Sequence, residues 1–407
     1  MRRYSKITPE GTRDLLFEEC NARRIVESRL SALFKSRGYN RIITPSIEFF
    51  DVFDRDSAGI LPEMMYKLTD SQGRLMVLRP DNTLPIARVA ATRLRDMQLP
   101  IRLYYAQKVF IQSPTLVGFN DETAQSGIEL IGASGIRADL EIITTAVDAL
   151  DKCGAKDYRI EIGHAGFFKA LSDSLNVDDE TREEISLLIE SKNYAALNDV
   201  LDNLQNNETT KAIRMLPRLF GGEEVLDEAS KLSDSKQAKD SLNYLRNVYK
   251  CLDDLGLGNK INIDLGLVHR SNYYTGVVFR GYIEGSGVTV LSGGRYDKLI
   301  GEFGNPLPAT GFGVEVDALA NAMLLRGEVK LPKPADVLVF GEDGCEIKAL
   351  RYITELNEKG FICENSIFET AQQSYEYASR RGIKRFVLVA KDKITESKIQ
   401  GVEICDL

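Results

Sequence analysis

From Asn21 to Gly38 the chain reads NARRIVESRLSALFKSRG, and Ala22, Val26, Leu30 and Leu33 fall on one face of a helix with 3.6 residues per turn. Gly38 suits its end, because glycine adopts the left-handed backbone that closes a helix. The texture then changes. YNRIITPSIEFFDVF (39–53), LMVLRPDN (75–82), IRLYYAQKVFIQ (101–112) and SGIELIG (126–132) are rich in β-branched and aromatic residues and predict strands. From about Gly166 to Gly258 the pattern turns helical and polar, closing on LNYLRNVYKCLDDLGLG, where Leu245, Val248, Leu252 and Leu255 keep a 3-4-3 spacing. Strand texture returns in INIDLGLV (261–268), YYTGVVFRGY (273–282) and VTVLSGGRYD (288–297), followed by the helix EVDALANAMLLRG, stopped at Gly327.

Strand texture on both sides of the helical stretch predicts one sheet interrupted by an insertion at about 166–258. The two prolines of LPKPAD, Leu331 to Asp336, resist helix and sheet alike and mark a linker. Beyond it VLVFG, KALRYITELNEKG, FICE, FETAQQSYEYASRRG and RFVLVA alternate strand with helix. The expected organisation is a core over 1–330 that carries the insertion, and a small α/β domain over 331–407.

Composition narrows the function classes. A chain of 407 residues, 43% hydrophobic, is long enough for two or three ordinary cores. Its 52 Lys+Arg against 60 Asp+Glu leave a net charge of −8, which offers phosphate backbones and anionic membranes no overall attraction. No run of about 18 apolar residues occurs, so no membrane span is expected and the chain reads as cytoplasmic. Cys20, Cys153, Cys251, Cys345, Cys363 and Cys405 stand singly, with no CxxC and no histidine at ligand spacing. Neither a disulfide framework nor a metal site is expected.

Few groups carry candidate chemistry. LRPDNTLPIAR (78–88) sets Arg79, Asp81 and Thr83 just past a strand, among prolines that stiffen the turn. A binding loop and an ordinary polar turn explain it equally. In QSGIELIG, Gln125, Gly127 and Glu129 alternate along a strand, so they share one face while Ile128 and Leu130 share the other. An acid, an amide and a glycine on one face suit a small polar cation; the solvated face of an antiparallel sheet is the competing explanation. The glycines of LSGGRYDKL (291–299) let a ligand or a neighbouring strand approach the backbone. No GxxxxGK[ST] or GxGxxG phosphate loop occurs. His164 and His269 lie in apolar, strand-like surroundings, which suit a histidine satisfied by hydrogen bonds better than a catalytic base.

Taken in order, PEGTRDLL, GYNRIITPSIE with Pro45, LRPDNT, QSGIELIG, NYYTGVVF and GGRYDKLIGEFG…PATGFG resemble the catalytic core of histidyl-tRNA synthetase, a class II aminoacyl-tRNA synthetase. The resemblance runs over roughly Thr8 to Arg326. It implies an α+β fold, an antiparallel sheet flanked by helices, with a homodimer formed through the first-motif region Asn40–Phe53 and a pocket for free histidine. Carried over residue by residue, Asp81 and Thr83 would meet the α-amino group, the acid being one methylene shorter than the usual glutamate. Gln125 would take the carboxylate end and Glu129 the amino group, while Tyr273 and Tyr274 would bracket the imidazole.

The departures matter as much as the matches. Positions where the synthetases carry arginines fall at Ile111, Asp121, Ala318 and, with the YYTG register kept, His269; Glu315 also replaces a glycine. Removing one fixed donor at a developing charge costs about 2.7–4 kcal/mol, and the two acids repel phosphate. A histidine pocket without an ATP site is similar to another family, the regulatory subunits of ATP phosphoribosyltransferase in histidine biosynthesis. That resemblance implies no catalytic residue and no cofactor on this chain. Its implied partners are histidine as ligand and a separate, short catalytic subunit, which the regulatory chain activates and makes sensitive to histidine. Two alternatives compete: a divergent histidyl-tRNA synthetase, which needs cations at Ile111, Asp121 and Ala318, and a tRNA-binding or translation-control protein. Nucleic acid is not an expected partner, for the tail ends in the acidic ESKIQGVEICDL.

Overall fold

In the computed structural model the strand-rich stretches gather into one large sheet, one face of which is covered by amphipathic helices. The structure describes residues 4, 6–55, 58–112, 120–268, 273–284, 287–330 and 333–399. Contacts divide the chain into two units, Met1–Val329 and Lys330–Leu407.

The strands of the first unit are β1 (Asn40–Arg41), β2 (Ile47–Phe49), β3 (Lys67–Thr69), β4 (Leu75–Leu78), β5 (Ile101–Phe110), β6 (Glu122–Ile131), β7 (Tyr158–His164), β8 (Phe220–Gly221), β9 (Ile261–Asp264), β10 (Val277–Ile283), β11 (Thr289–Arg295) and β12 (Ala309–Glu315). Nine of them form a sheet in the order β1-β5-β6-β12-β11-β10-β7-β9-β8. Its middle, from β5 across to β7, is antiparallel. The flanking pairs β1–β5 and β7–β9 are parallel. Strands β2, β4 and β3 make a small antiparallel sheet of their own.

Helices α1 (Phe17–Ser36), α2 (Thr83–Thr92) and α3 (Ile136–Lys152) precede the insertion. Ala22, Val26, Leu30 and Leu33 of α1 are buried with Ile142, Ala146 and Leu150 of α3 against Ile128, Leu130 and Phe312 of the sheet. Each such large side chain contributes about 1.5–3 kcal/mol on burial, so this face holds the first unit together. Gly38 closes α1 at φ +82°, as its sequence position predicts. The insertion holds α4 (Ala165–Asp173), α5 (Asp179–Glu190), α6 (Tyr194–Asp202), α7 (Glu208–Met215), α8 (Glu224–Ala229) and α9 (Lys236–Asp254), with β8 among them. Leu245, Val248 and Leu252 of α9 are buried, but Leu255 lies past the helix end and is 62% exposed. Helix α10 (Val316–Leu325) follows β12 and adds Val316, Leu319 and Met323 to the same core.

The first-motif stretch departs from its sequence pattern. Only Asn40–Arg41 and Ile47–Phe49 pair as strands, and Phe50–Val52 form a turn of 3-10 helix. Both strands lie at sheet edges. Ile43, Ile47 and Phe49 are 71%, 45% and 44% exposed there.

The second unit has β13 (Val337–Gly341), α11 (Glu346–Glu358), β14 (Cys363–Asn365), α12 (Ala371–Arg380), β15 (Arg385–Val389) and β16 (Ile394–Lys398), with sheet order β14-β13-β15-β16. Val337, Val339 and Val387 pack against Ala349 and Leu356 of α11, while Leu338, Phe340 and Phe386 pack with Ala378 of α12. The helices therefore cover opposite faces, as alternation of side chains along a strand requires. Strand β16, antiparallel and exposed along its length, is unannounced in a segment whose sequence is largely polar.

Candidate functional site

The face of the large sheet turned away from α1 and α3, on which α2 packs, carries an open cavity, and Asp81, Thr83, Gln125, Glu129, Tyr273 and Tyr274 all line it. Its floor is nearly bare of side chains. Gly311 and Gly313 of β12 lie opposite Glu129 and Gly127 of β6 in register. A methyl group at Gly311 would collide with the Glu129 carboxylate, so only glycine leaves that carboxylate room.

Helix α2 delivers two of the lining residues. Its first turn is capped by Asp81, whose Oδ1 accepts the Leu84 N–H at 2.8 Å. That bond satisfies one orphan donor of the helix and sets Thr83 at its first position. The Asp81 carboxyl is pushed up to about 6 by burial, against the pull of the backbone N–H groups of residues 82 to 84. The acid singled out in the sequence is thus a helix cap as well as a wall of the cavity.

Glu129 lies deepest, at 1% exposure. Thr83 Oγ1 donates to its Oε1 at 3.0 Å and the Tyr296 hydroxyl donates to its Oε2. Burial pushes this carboxyl up to about 8; the neighbouring Asp81 charge adds to the rise, and the two hydroxyl bonds oppose it. Burial thus disfavours the charged form of Glu129, so its carboxyl takes up a proton at higher pH than an exposed glutamate does.

Tyr273 and Tyr274 form one wall, their ring centroids 4.6 Å apart and their planes tilted by 53°. Tyr296 meets Tyr273 edge-on at 5.8 Å. An aromatic wall facing carboxylates accepts a flat, polar ring with a cationic side chain.

Two lining residues, Tyr105 and Tyr296, escape the sequence reading. Tyr105 pairs with Gly127 across β5 and β6, so the strand pairing, not the sequence, reveals its face. Tyr296 stands two residues beyond the double glycine of β11, a signal present in the sequence. Arg295 fixes it in place. The guanidinium donates to Asp139 of α3 from Nε at 2.9 Å and from Nη2 at 2.7 Å, and from Nη1 to Asp297 at 2.9 Å. Tyr244 also donates to Asp139, at 2.6 Å.

Arg79 does not line the cavity. It is buried, donating to the carbonyls of Lys108 at 2.8 Å, Thr44 at 2.7 Å and Pro45 at 2.9 Å, and it clasps the first-motif segment to β5. His164 is a helix cap whose Nδ1 accepts the Gly166 N–H at 3.1 Å; burial pushes it down to about 4, so the ring is neutral. His269 and Arg270 lie outside the described residues.

The departed arginine positions are occupied as follows. Ile111 bridges Met65, and Asp121 accepts the Tyr66 hydroxyl at 2.5 Å. Ala318 packs against the helical core. Glu315 accepts Gln125 Nε2 at 3.0 Å, and burial holds its carboxyl above the ordinary range. At the open end of β5 and β6, a smaller cleft holds Arg13, Arg23 and Lys108, each committed to an acid: Glu19 at 2.7 Å, Asp317 at 2.9 Å, and Glu122. Among the described residues no group of His, Cys, Asp and Glu is arranged to hold a metal, and no helix is long and apolar enough to cross a membrane.

An ATP phosphoribosyltransferase regulatory subunit of Clostridium botulinum (strain 657 / Type Ba4) is 40% identical over 386 residues, covering 94% of this chain and 92% of that protein. The chain belongs to the ATP phosphoribosyltransferase regulatory subunit family. A Bacillus cereus (strain AH187) member is 38% identical over 399 residues, 97% of this chain and 94% of its own. A crystal structure described as an ATP phosphoribosyltransferase regulatory subunit/histidyl-tRNA synthetase from Bacillus halodurans C superposes with a TM-score of 0.82 at 28% identity, covering 95% of this chain and 99% of that one. The histidyl-tRNA synthetase family model matches residues 11–319. The synthetase of Nostoc sp. PCC 7120, at 22% identity and a TM-score of 0.74 over 97% of both chains, shares the fold. The regulatory-subunit family is thus built on a class II synthetase fold, and in this member the large antiparallel sheet and its helices are that fold.

Proposed function

We propose that this chain is the non-catalytic regulatory subunit of ATP phosphoribosyltransferase, the enzyme that opens histidine biosynthesis. It pairs with itself through the Asn40–Phe53 region, joins a short catalytic subunit in the cytoplasm, activates that subunit and conveys feedback inhibition by histidine. Histidine occupies the cavity, its ammonium on Glu129, Asp81 and Thr83, its carboxylate at Gln125 and its imidazole between Tyr273 and Tyr274.

One contrast carries the reading. A cavity walled by two carboxylates, an amide and tyrosines sits beside positions that hold Ile111, Asp121, Ala318 and Glu315. The first set suits a small cationic amino acid; the second supplies no donor for a triphosphate. The exposed Ile47 and Phe49 on edge strand β2, with the exposed Ile43 just before it, support the pairing surface. Titration calorimetry of the isolated chain tests the ligand: histidine binds and ATP gives no heat. Binding of ATP with histidine silent would overturn it.

A further inference from the structure

Behind the cavity runs a chain of hydrogen-bonded side-chain amides that begins in the first-motif segment. The Thr44 N–H donates to Gln107 Oε1 at 2.8 Å, Gln107 Nε2 donates to Asn82 Oδ1 at 3.0 Å, Asn82 Nδ2 donates to Gln125 Oε1 at 3.0 Å, and Gln125 Nε2 donates to Glu315 Oε1 at 3.0 Å. Of these, only Gln125 lines the cavity. Asn82 is fully buried and stands at the N-cap of α2, yet its side chain makes no cap bond; Asp81 performs the capping from one position earlier. An asparagine with a cap within reach is instead committed to linking two glutamines.

The direction of the chain is set at its ends. A backbone N–H only donates, so Gln107 must turn its oxygen to Thr44 and its nitrogen to Asn82. Asn82 must then turn its nitrogen to Gln125, and Gln125 its nitrogen to Glu315. No single amide can flip without setting two donors or two acceptors face to face, which leaves buried polar groups unpaired. Tyr105, whose hydroxyl lies 3.2 Å from Gln125 Oε1, holds that oxygen from the other side. Gln125 Nε2 keeps one hydrogen beyond the one given to Glu315.

Building on the histidine reading above, we infer that Gln107 and Asn82 are positioning residues which fix Gln125 as a donor toward the ligand's carboxylate, and that Thr44 ties this setting to the first-motif segment. The pocket thereby discriminates an amino acid from the corresponding amine. Histidine and histamine, which share ring and ammonium and differ in the carboxylate, are the probes.

The decisive variant is Gln107→Glu. It keeps shape and still accepts the Thr44 N–H, but it presents an acceptor to Asn82 and so reverses the amides beyond it. Titration calorimetry should show histidine affinity falling about ten- to a hundredfold, the loss expected when a hydrogen bond to a charged group is removed, with histamine affinity within threefold of the parent. Gln107→Met, which deletes the link without reversing it, should give a smaller loss with the same selectivity for histidine. Equal losses for both ligands, or no loss for either, overturn the inference while leaving the proposed function intact. A parent chain that binds no histidine refutes the proposed function, and this inference with it.

Discussion

Glu129→Gln separates the charge of the deepest residue from its shape. In the proposed pose the carboxylate pairs with the ligand's ammonium, a bond of about 1.5–3 kcal/mol, or about ten- to a hundredfold in affinity. The structure reduces what is seen at neutral pH. With its carboxyl raised to about 8, Glu129 must first lose a proton, which lowers affinity by roughly a hundredfold at pH 6, roughly tenfold at pH 7 and roughly twofold at pH 8. Glutamine has no such cost. At pH 7 the substitution should therefore weaken histidine binding by no more than about fifteenfold, and at pH 6 by little or nothing. The sign follows from the shift: a raised carboxylate becomes charged only as pH climbs, so parent affinity rises with pH while the variant lacks this dependence. The parent-to-variant affinity ratio should widen by roughly tenfold or more between pH 6 and pH 8, and taking the ratio cancels the ligand's own imidazole titration. Calorimetry in buffers of different ionisation enthalpy should also register more proton release on binding to the parent than to the variant. A ratio that stays flat with pH would refute the buried, proton-bearing carboxyl; unchanged affinity at every pH would remove Glu129 from the site.

Further outcomes follow from other contacts. Tyr296→Phe deletes the hydroxyl bond to the Glu129 carboxylate and should weaken histidine about tenfold at pH 8 in a titration, while the melting temperature stays within a few degrees. Arg295→Met leaves Asp139 buried with its main partner gone and should cost about 3–5 kcal/mol in a denaturant melt. Ile43→Glu puts a charge on an edge that is 71% exposed in the single chain and should convert dimer to monomer in sedimentation at micromolar concentration, without lowering the melting temperature of the monomer.

Local periodicity made much of the fold legible. The spacing in α1 and the termination at Gly38 are properties of a few neighbouring residues, and tertiary packing did not override them. The alternation in β6 likewise separated Ile128 and Leu130, which join the helical core, from Gln125 and Glu129, which face the cavity. Non-local geometry was not legible. The Tyr296 that holds Glu129 lies 167 positions away in the chain, and nothing in the period of either strand announces the pairing. Arg79 has the look of a binding residue until folding buries it among three carbonyls. The β-rich composition of 39–53 promised a continuous strand, but its two short strands belong to different sheets. The helical period of the insertion ran one residue too far at Leu255, because α9 ends at Asp254. Asp81 shows the two levels together: its candidacy was visible in sequence, and its capping of α2 only in the structure.

The regulatory role is tested most directly by reconstituting this chain with the catalytic subunit of its own ATP phosphoribosyltransferase and recording histidine inhibition curves at pH 8 with parent and Glu129→Gln chains. Both assemblies should show the same phosphoribosyl transfer without histidine, and the inhibition midpoint of the variant should lie at least about fivefold higher. A catalytic subunit that gains neither activity nor histidine sensitivity when the parent chain is added would contradict the account.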